Sequence, residues 1–282
     1  MLGRVLKMAF WVMYDHLGKL TVAGTIWSAA WCVPAILGCA AVLTRDATTI
    51  LFLGIPLLIL SFGCILPAMS AGLAHMVKEL IDTRDGSVRT MFSGIRLYGV
   101  RAVALGMIYL AAGSSLAVSV WFYAAKLGGT VPVAGYGLSA LALWLLVFVL
   151  LTTLTAMPTL VQKKAGVFAT MKLAALLTLD NLFLCIGLGI QVLAVTTIAL
   201  IVPPVFFFLY GGLFGVLTGS LYEMLARKYA VLEARQAVAP ATGSSGRHAM
   251  RLTRVELDRL FDDEQDDYLN RGVRDFLFPW KG

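Results

Sequence analysis

Charge is what this 282-residue sequence has least of: 14% of its residues are Asp, Glu, Lys or Arg, where a soluble domain carries roughly 25%. With 59% hydrophobic residues and a mean hydropathy of +0.84, a water-soluble globule is excluded, because it would expose far more apolar surface than water tolerates. A disordered chain is excluded on the same ground. Cysteine is scarce too. Cys32, Cys39, Cys64 and Cys185 all fall inside apolar runs, which excludes a disulfide scaffold and leaves them as small buried hydrophobes. Cys32 and Cys39 share a helical face, but no His or acid accompanies them at ligand spacing. HExxH, GxSxG, P-loop and GxGxxG patterns are all missing, so the sequence names no catalytic residue, metal or cofactor.

What the sequence has instead is long apolar runs. A helix crosses the hydrocarbon layer with about 20 mainly apolar residues. Six charge-free runs reach that length: Thr21 to Leu43, Ile50 to Met76, Ala102 to Tyr123, Leu138 to Val161, Leu182 to Val202 and Pro204 to Tyr222. The last two lack a polar linker, so Pro203 and Pro204 must form the turn; one long broken helix is the alternative. Eleven Lys and Arg residues lie before the first span and in the gaps after the second and fourth, against Arg45 and Lys126 alone in the others. That asymmetry predicts cytoplasmic N and C termini. The first span follows a 20-residue amphipathic lead without a cleavage site, so it reads as an anchor and not a removed signal.

The odd-numbered spans begin near residues 21, 102 and 182, each after a short amphipathic stretch. The expected fold is therefore all-α: a polytopic bundle of six transmembrane helices in three hairpins, each preceded by a cytoplasmic interfacial helix. The clearest stretch places Val88, Met91, Phe92, Ile95 and Tyr98 on one face and Arg89, Ser93 and Arg96 on the other. The domain reading is a bundle over 1–230, a flexible linker over 231–250 and a tail over 251–282. Gln236 to Met250 is rich in Ala, Gly, Ser and Pro, and Thr253 with Glu256 has capping-box spacing for a short tail helix.

Ionisable residues at the bilayer centre mark proton relays and ion coupling, and none of the six runs has one near its middle. The polar residues that remain there, Gln191, Ser114 and Ser115, read first as interhelical hydrogen-bonding groups and second as a solute path. Pro34, Pro56, Pro67 and Pro158 lie within spans and would free backbone carbonyls. Gly211, Gly215 and Gly219 form a stripe on the last span that fits helix packing within one chain or across a homo-oligomer. Asp15, His16, His75, Asp180 and Asn181 sit at span ends that folding could gather at one rim. Glu223 and Arg227 are spaced to pair on one helix.

The tail contrasts with the bundle. After the acidic run Asp262 to Asp267 it places Arg271, Arg274, Phe276, Phe278 and Trp280 close together, a density of aromatics that needs burial. Docking into a groove of this chain or of a protein partner, in the membrane or at its cytoplasmic face, is the expectation. Residues 1–225 hold 13 basic and 7 acidic residues, and the remainder 10 and 9. Anionic lipid headgroups account for the first imbalance, and nothing indicates nucleic acid.

Two stretches carry a family resemblance. Tyr14 to Leu43, with Gly18 to Leu20, Trp27 and Pro34, and Leu66 to Arg101, with Ser70 to Leu73, Lys78 to Arg84 and Phe92 to Arg96, resemble the YesL-type family of uncharacterised bacterial integral membrane proteins. Leu97 and Tyr98 depart from that pattern, which has Asn and an aromatic there, and so does the long tail. The resemblance implies a bacterial inner-membrane protein associated with carbohydrate-uptake genes. It supplies no catalytic residue. The functional expectation is an accessory or scaffold subunit of a membrane complex. The alternative is a permease or channel component for a small neutral solute, and an enzyme at the membrane surface ranks third.

Overall fold

A computed structural model describes residues 1–238 and 268–271, except the side chains of residues 130 and 232–238. The described residues are helical, with no strand among them, and six helices are long and apolar enough to cross a membrane. The short α1 (Leu2–Asp15) precedes the first span, α2 (Leu17–Leu43). Then come α3 (Ala47–Asp82), α4 (Val88–Leu127), α5 (Pro132–Lys163), the short α6 (Val167–Asp180), α7 (Leu182–Ile201) and α8 (Pro203–Val231), whose backbone stays helical to Val238. Large apolar side chains such as Trp144, Phe183 and Leu193 point outward, as expected of a chain whose solvent is lipid. The architecture is that of a multi-pass membrane protein.

Local chemistry sets the helix ends. The Asp46 carboxylate accepts the Thr49 N–H at 2.8 Å and starts α3. Ser87 and Thr90 make a reciprocal capping box at the start of α4. Arg45, Arg84 and Lys164 have φ of 57°, 61° and 50° and close the turns after α2, α3 and α5 in the left-handed region, which side chains other than glycine seldom enter. Between α7 and α8, Val202 leaves helical geometry, and Pro203 and Pro204 open α8 instead of forming the turn themselves. The last two spans are separate helices.

One expectation about arrangement is corrected. The Val88 to Tyr98 stretch is not a separate interfacial helix: it runs without a break into the third span, and Met91, Gly94 and Tyr98 are buried. The most extensive helix contact joins α3 to α4, members of different expected hairpins. Glycines explain it. A Cβ at Gly72 would lie 2.5 Å from Ile95 Cγ1, at Gly94 2.6 Å from His75 Cβ, and at Gly106 2.1 Å from Pro67 Cγ. These backbones therefore approach more closely than any side chain would allow. In addition, α8 continues helically past the boundary expected at 230/231.

Prolines and wide turns give the opposite effect elsewhere. In α3, π-helical segments at Ile50–Gly54 and Leu60–Ile65 precede Pro56 and Pro67, and α8 has another at Phe206–Tyr210 just after its proline pair. A proline cannot donate to the preceding turn, and a wider turn absorbs the mismatch. Side chains from other helices take up exposed carbonyls there. Ser61 Oγ donates to Trp31 O at 2.6 Å, in the turn before Pro34, and Ser28 Oγ donates to Phe206 O at 3.3 Å.

Candidate functional site

The distorted turns surround a cavity of about 530 Å³ that takes wall residues from all six spans. Trp27 and Trp31 come from α2, one helical turn apart. Phe206, Tyr210 and Phe214 come from successive turns of α8, and Phe62 from the second π segment of α3. Their rings interlock: Trp27 and Trp31 are 5.6 Å apart edge to face, Phe206 and Tyr210 stack at 5.3 Å, and Trp31 lies 5.5 Å from Phe62. Offset and edge contacts of this kind hold rings rigidly. Pro67 and Pro158 complete the wall beside Tyr109, Thr153 and Met157.

The wall holds no charged residue and no histidine. Most of its polar groups are already engaged. Trp27 Nε1 donates to Ser70 Oγ at 3.1 Å, Thr196 Oγ1 and Tyr210 Oη are 2.9 Å apart, and Thr153 Oγ1 donates to Leu150 O at 2.6 Å. Tyr109 Oη and Trp31 Nε1 are covered by protein and not open to the chamber. Bare ions and charged metabolites would enter such a chamber at a large desolvation cost, whereas an uncharged molecule would not.

A second hollow of about 550 Å³ lies against this one and shares Trp31, Leu200 and Phe206 with it. Small residues of α2, among them Cys32, Ala35, Cys39 and Ala40, make its floor. Cys32 and Cys39 remain free thiols there. Among the described residues, no three His, Cys, Asp or Glu side chains are grouped to hold a metal.

The residues singled out from sequence lie elsewhere for the most part. Gln191, Ser114 and Ser115 are exposed and line neither hollow. Ser114 Oγ bonds within its own helix, to Ala111 O at 3.1 Å. The glycine stripe faces two helices. A Cβ at Gly211 would meet Trp27 and Gly24 of α2 at about 3 Å, while at Gly215 and Gly219 it would meet Leu73 and Val77 of α3 at 2.7 and 2.6 Å. Gly215 also touches the cavity. Gly24 and Gly212, not singled out before, complete the α2–α8 crossing.

Four of the five rim residues divide among separate partners, while the buried Nε2 of the fifth, His16, has no hydrogen-bond partner. Asp15 binds Arg271, and the His75 ring meets Tyr98 edge to face at 5.7 Å. Asp180 and Asn181 bind Lys228 and Tyr229 of α8, with Lys228 Nζ donating to Asn181 Oδ1 at 2.7 Å. Arg227 Nε donates to Glu223 Oε1 at 3.0 Å. In the tail, Arg271 is described, whereas Arg274, Phe276, Phe278 and Trp280 lie outside the described residues, as do the acidic run and the tail helix.

Sequence reading missed the cavity because its walls are up to 191 positions apart, from Trp27 to Thr218. A signal was nonetheless there. Trp27 and Trp31 at i, i+4, with Phe206, Tyr210 and Phe214 at i, i+4, i+8, are aromatic stripes with helical period. No protein-family model matches the chain, and neither does any curated protein or solved structure.

Proposed function

We propose that the protein binds a small, uncharged, largely apolar molecule inside the membrane and serves as a permease or channel component for it. The observation that carries this reading is the uncharged, aromatic cavity walled by all six spans. Its size falls within the range of small-molecule sites. The accessory or scaffold role drew its weight from the tail. The part of the tail that is described sits on this chain's own α1, so the cavity now ranks first.

The charge asymmetry supports placing the α1 end in the cytoplasm, with α1 and α6 near the interface, and the YesL-type resemblance supports a bacterial inner membrane. Single cysteines test the orientation. Gly129 and Gly166 are exposed, with open space around them. A cysteine at 129 should react with an impermeant maleimide from outside, and one at 166 only after permeabilisation; the reverse labelling would invert the topology.

Ligand binding is tested by thermal shift of the purified protein against uncharged alcohols, ketones and aromatic amides and their charged analogues. We expect a saturable rise in Tm with uncharged members only. It should disappear in Thr153→Phe, which fills the cavity at a residue whose hydroxyl bonds only its own helix. Absence of any saturable shift, or equal shifts in Thr153→Phe, would sink the reading.

A further inference from the structure

Four residues of the tail are seated on the bundle, and their contacts are unusually complete for so short a segment. Tyr268 and Leu269 are 4% and 3% exposed and join the main buried cluster with Met8, Trp11 and Leu80. Tyr268 Oη donates to Leu80 O at 3.4 Å near the end of α3, and Lys7 Nζ of α1 donates to Leu269 O. Arg271 Nη1 donates to both oxygens of Asp15, at 2.7 and 2.6 Å. Its guanidinium lies 5.3 Å from the Trp11 ring centre and 5.9 Å from that of Tyr268, while Arg84 covers Tyr268 at 5.2 Å.

Each contact recognises a particular chemistry. A pocket takes an aromatic ring and its hydroxyl, the next an aliphatic side chain and its carbonyl, and a carboxylate beside an indole takes a guanidinium. Asn270, between them, is exposed. Nothing in this set depends on the covalent link to α8, since residues 239–267 intervene. A tethered segment holds such a seat by its high local concentration and yields to a free ligand of the same kind only when the tether's advantage is overcome.

We propose that the seat between α1 and the adjacent end of α3 is a peptide-recognition site for an aromatic, aliphatic, asparagine, arginine motif, kept occupied by the chain's own Tyr268–Arg271. The site is independent of what the cavity holds.

The test uses the full chain in detergent and a fluorescent peptide of residues 265–274 as probe. Replacing Tyr268→Ala together with Arg271→Ala empties the seat in cis. We expect the peptide to bind this variant at least about tenfold more tightly than it binds the wild type, where the resident competes. Adding Asp15→Asn should weaken peptide binding again by about tenfold, and a peptide of scrambled order should not bind. Equal binding to wild type and variant, or none to either, overturns the proposal. Should the double alanine variant lose its folded melting transition, the charge swap decides instead. With Asp15→Arg in the chain, a peptide carrying Arg271→Asp should outbind the natural one, and failure to do so overturns the proposal. Two differently tagged full chains that co-purify only when Tyr268 is intact would show exchange between copies and overturn occupancy in cis.

Discussion

The α3–α4 contact and the aromatic chamber beside it are built from the same apolar composition and come out opposite. Along α3–α4, Gly72, Gly94 and Gly106 remove the side chains that would separate two backbones, and the helices close. On the other side, Trp27, Trp31, Phe206 and Tyr210 line the chamber beside π turns and prolines, and space remains there even though α2 and α8 close on each other at Gly24, Gly211 and Gly212. In lipid no hydrophobic force pulls spans together, so packing alone decides. Where small residues meet, the gap closes; where rigid rings meet rings, space is left that no side chain fills.

The sharpest way to break the comparison is to put a side chain into the closed contact. Gly106→Leu would place its Cβ 2.1 Å from the ring of Pro67, which cannot rotate away. A loss of about 3 kcal/mol or more is expected, seen as a collapse of the detergent melting transition or as failure to purify a single species. A Tm within a few degrees of wild type would show that α3 and α4 are not in tight contact.

Gly215→Leu sits at the border between the two regions and should cost less, about 1–3 kcal/mol. Its Cβ meets the flexible Leu73 side chain at 2.7 Å, and the cavity that Gly215 also touches offers an escape. Leu73→Ala in the same chain should restore most of the lost Tm. If it does not, the strain lies in the backbone and the border is as tight as α3–α4.

How much of this was legible beforehand follows the same division. The six spans could be read because length and lack of charge are local properties, and the Glu223–Arg227 pair because four residues make one turn. The break at Val202 moved the ends there by one residue, whereas the cap at Ser87 starts the third helix at Val88, well before the expected Ala102. Pairing of the spans was not legible: the repeat of about 80 residues suggests hairpins, but closeness depends on which glycines from distant spans come opposite each other. The emphasis on Gln191, Ser114 and Ser115 followed polarity, yet all three face outward, and the chamber is defined by ring shape instead. The seat of Tyr268 and Leu269 was hidden because the apolar residues further along, Phe276 to Trp280, outweighed a single Tyr-Leu pair.

Within the chamber, the Thr196–Tyr210 hydrogen bond spans the seam between α7 and α8. Thr196→Val keeps the shape and removes the bond, leaving the phenol to find another partner. A cost of about 1 kcal/mol is expected, with the seam loosening before the α3–α4 contact does. Hydrogen exchange should therefore rise in α7 and stay unchanged in α4. Equal rises in both would mean that the two regions melt as one unit.

The smallest effect expected is on pH, and it contrasts the lipid-embedded part with the seat at the α1 end. His16, in the break between α1 and α2, has its pKa lowered from 6.5, first by burial and then by Lys19, with Arg84 and Arg271 adding to the shift and Asp15 alone opposing it. Its buried Nε2 has no hydrogen-bond partner. A histidine whose pKa is lower folded than unfolded binds fewer protons in the folded state, so stability is undiminished above 6.5 and is lost as pH falls through that value toward the folded pKa. The positive charge gained on acidification lies beside the guanidinium that Asp15 holds, so the tail segment should loosen locally before the bundle does. A disulfide probe shows this: with cysteines at Trp11 and Leu269 in a chain whose native cysteines are serine, crosslinking by a pH-insensitive oxidant should fall between pH 8 and pH 5.5. Substituting His16→Gln should flatten that profile while the cavity-dependent Tm shift stays as it was. A profile that remains steep without His16 would place the titrating group elsewhere in the seat.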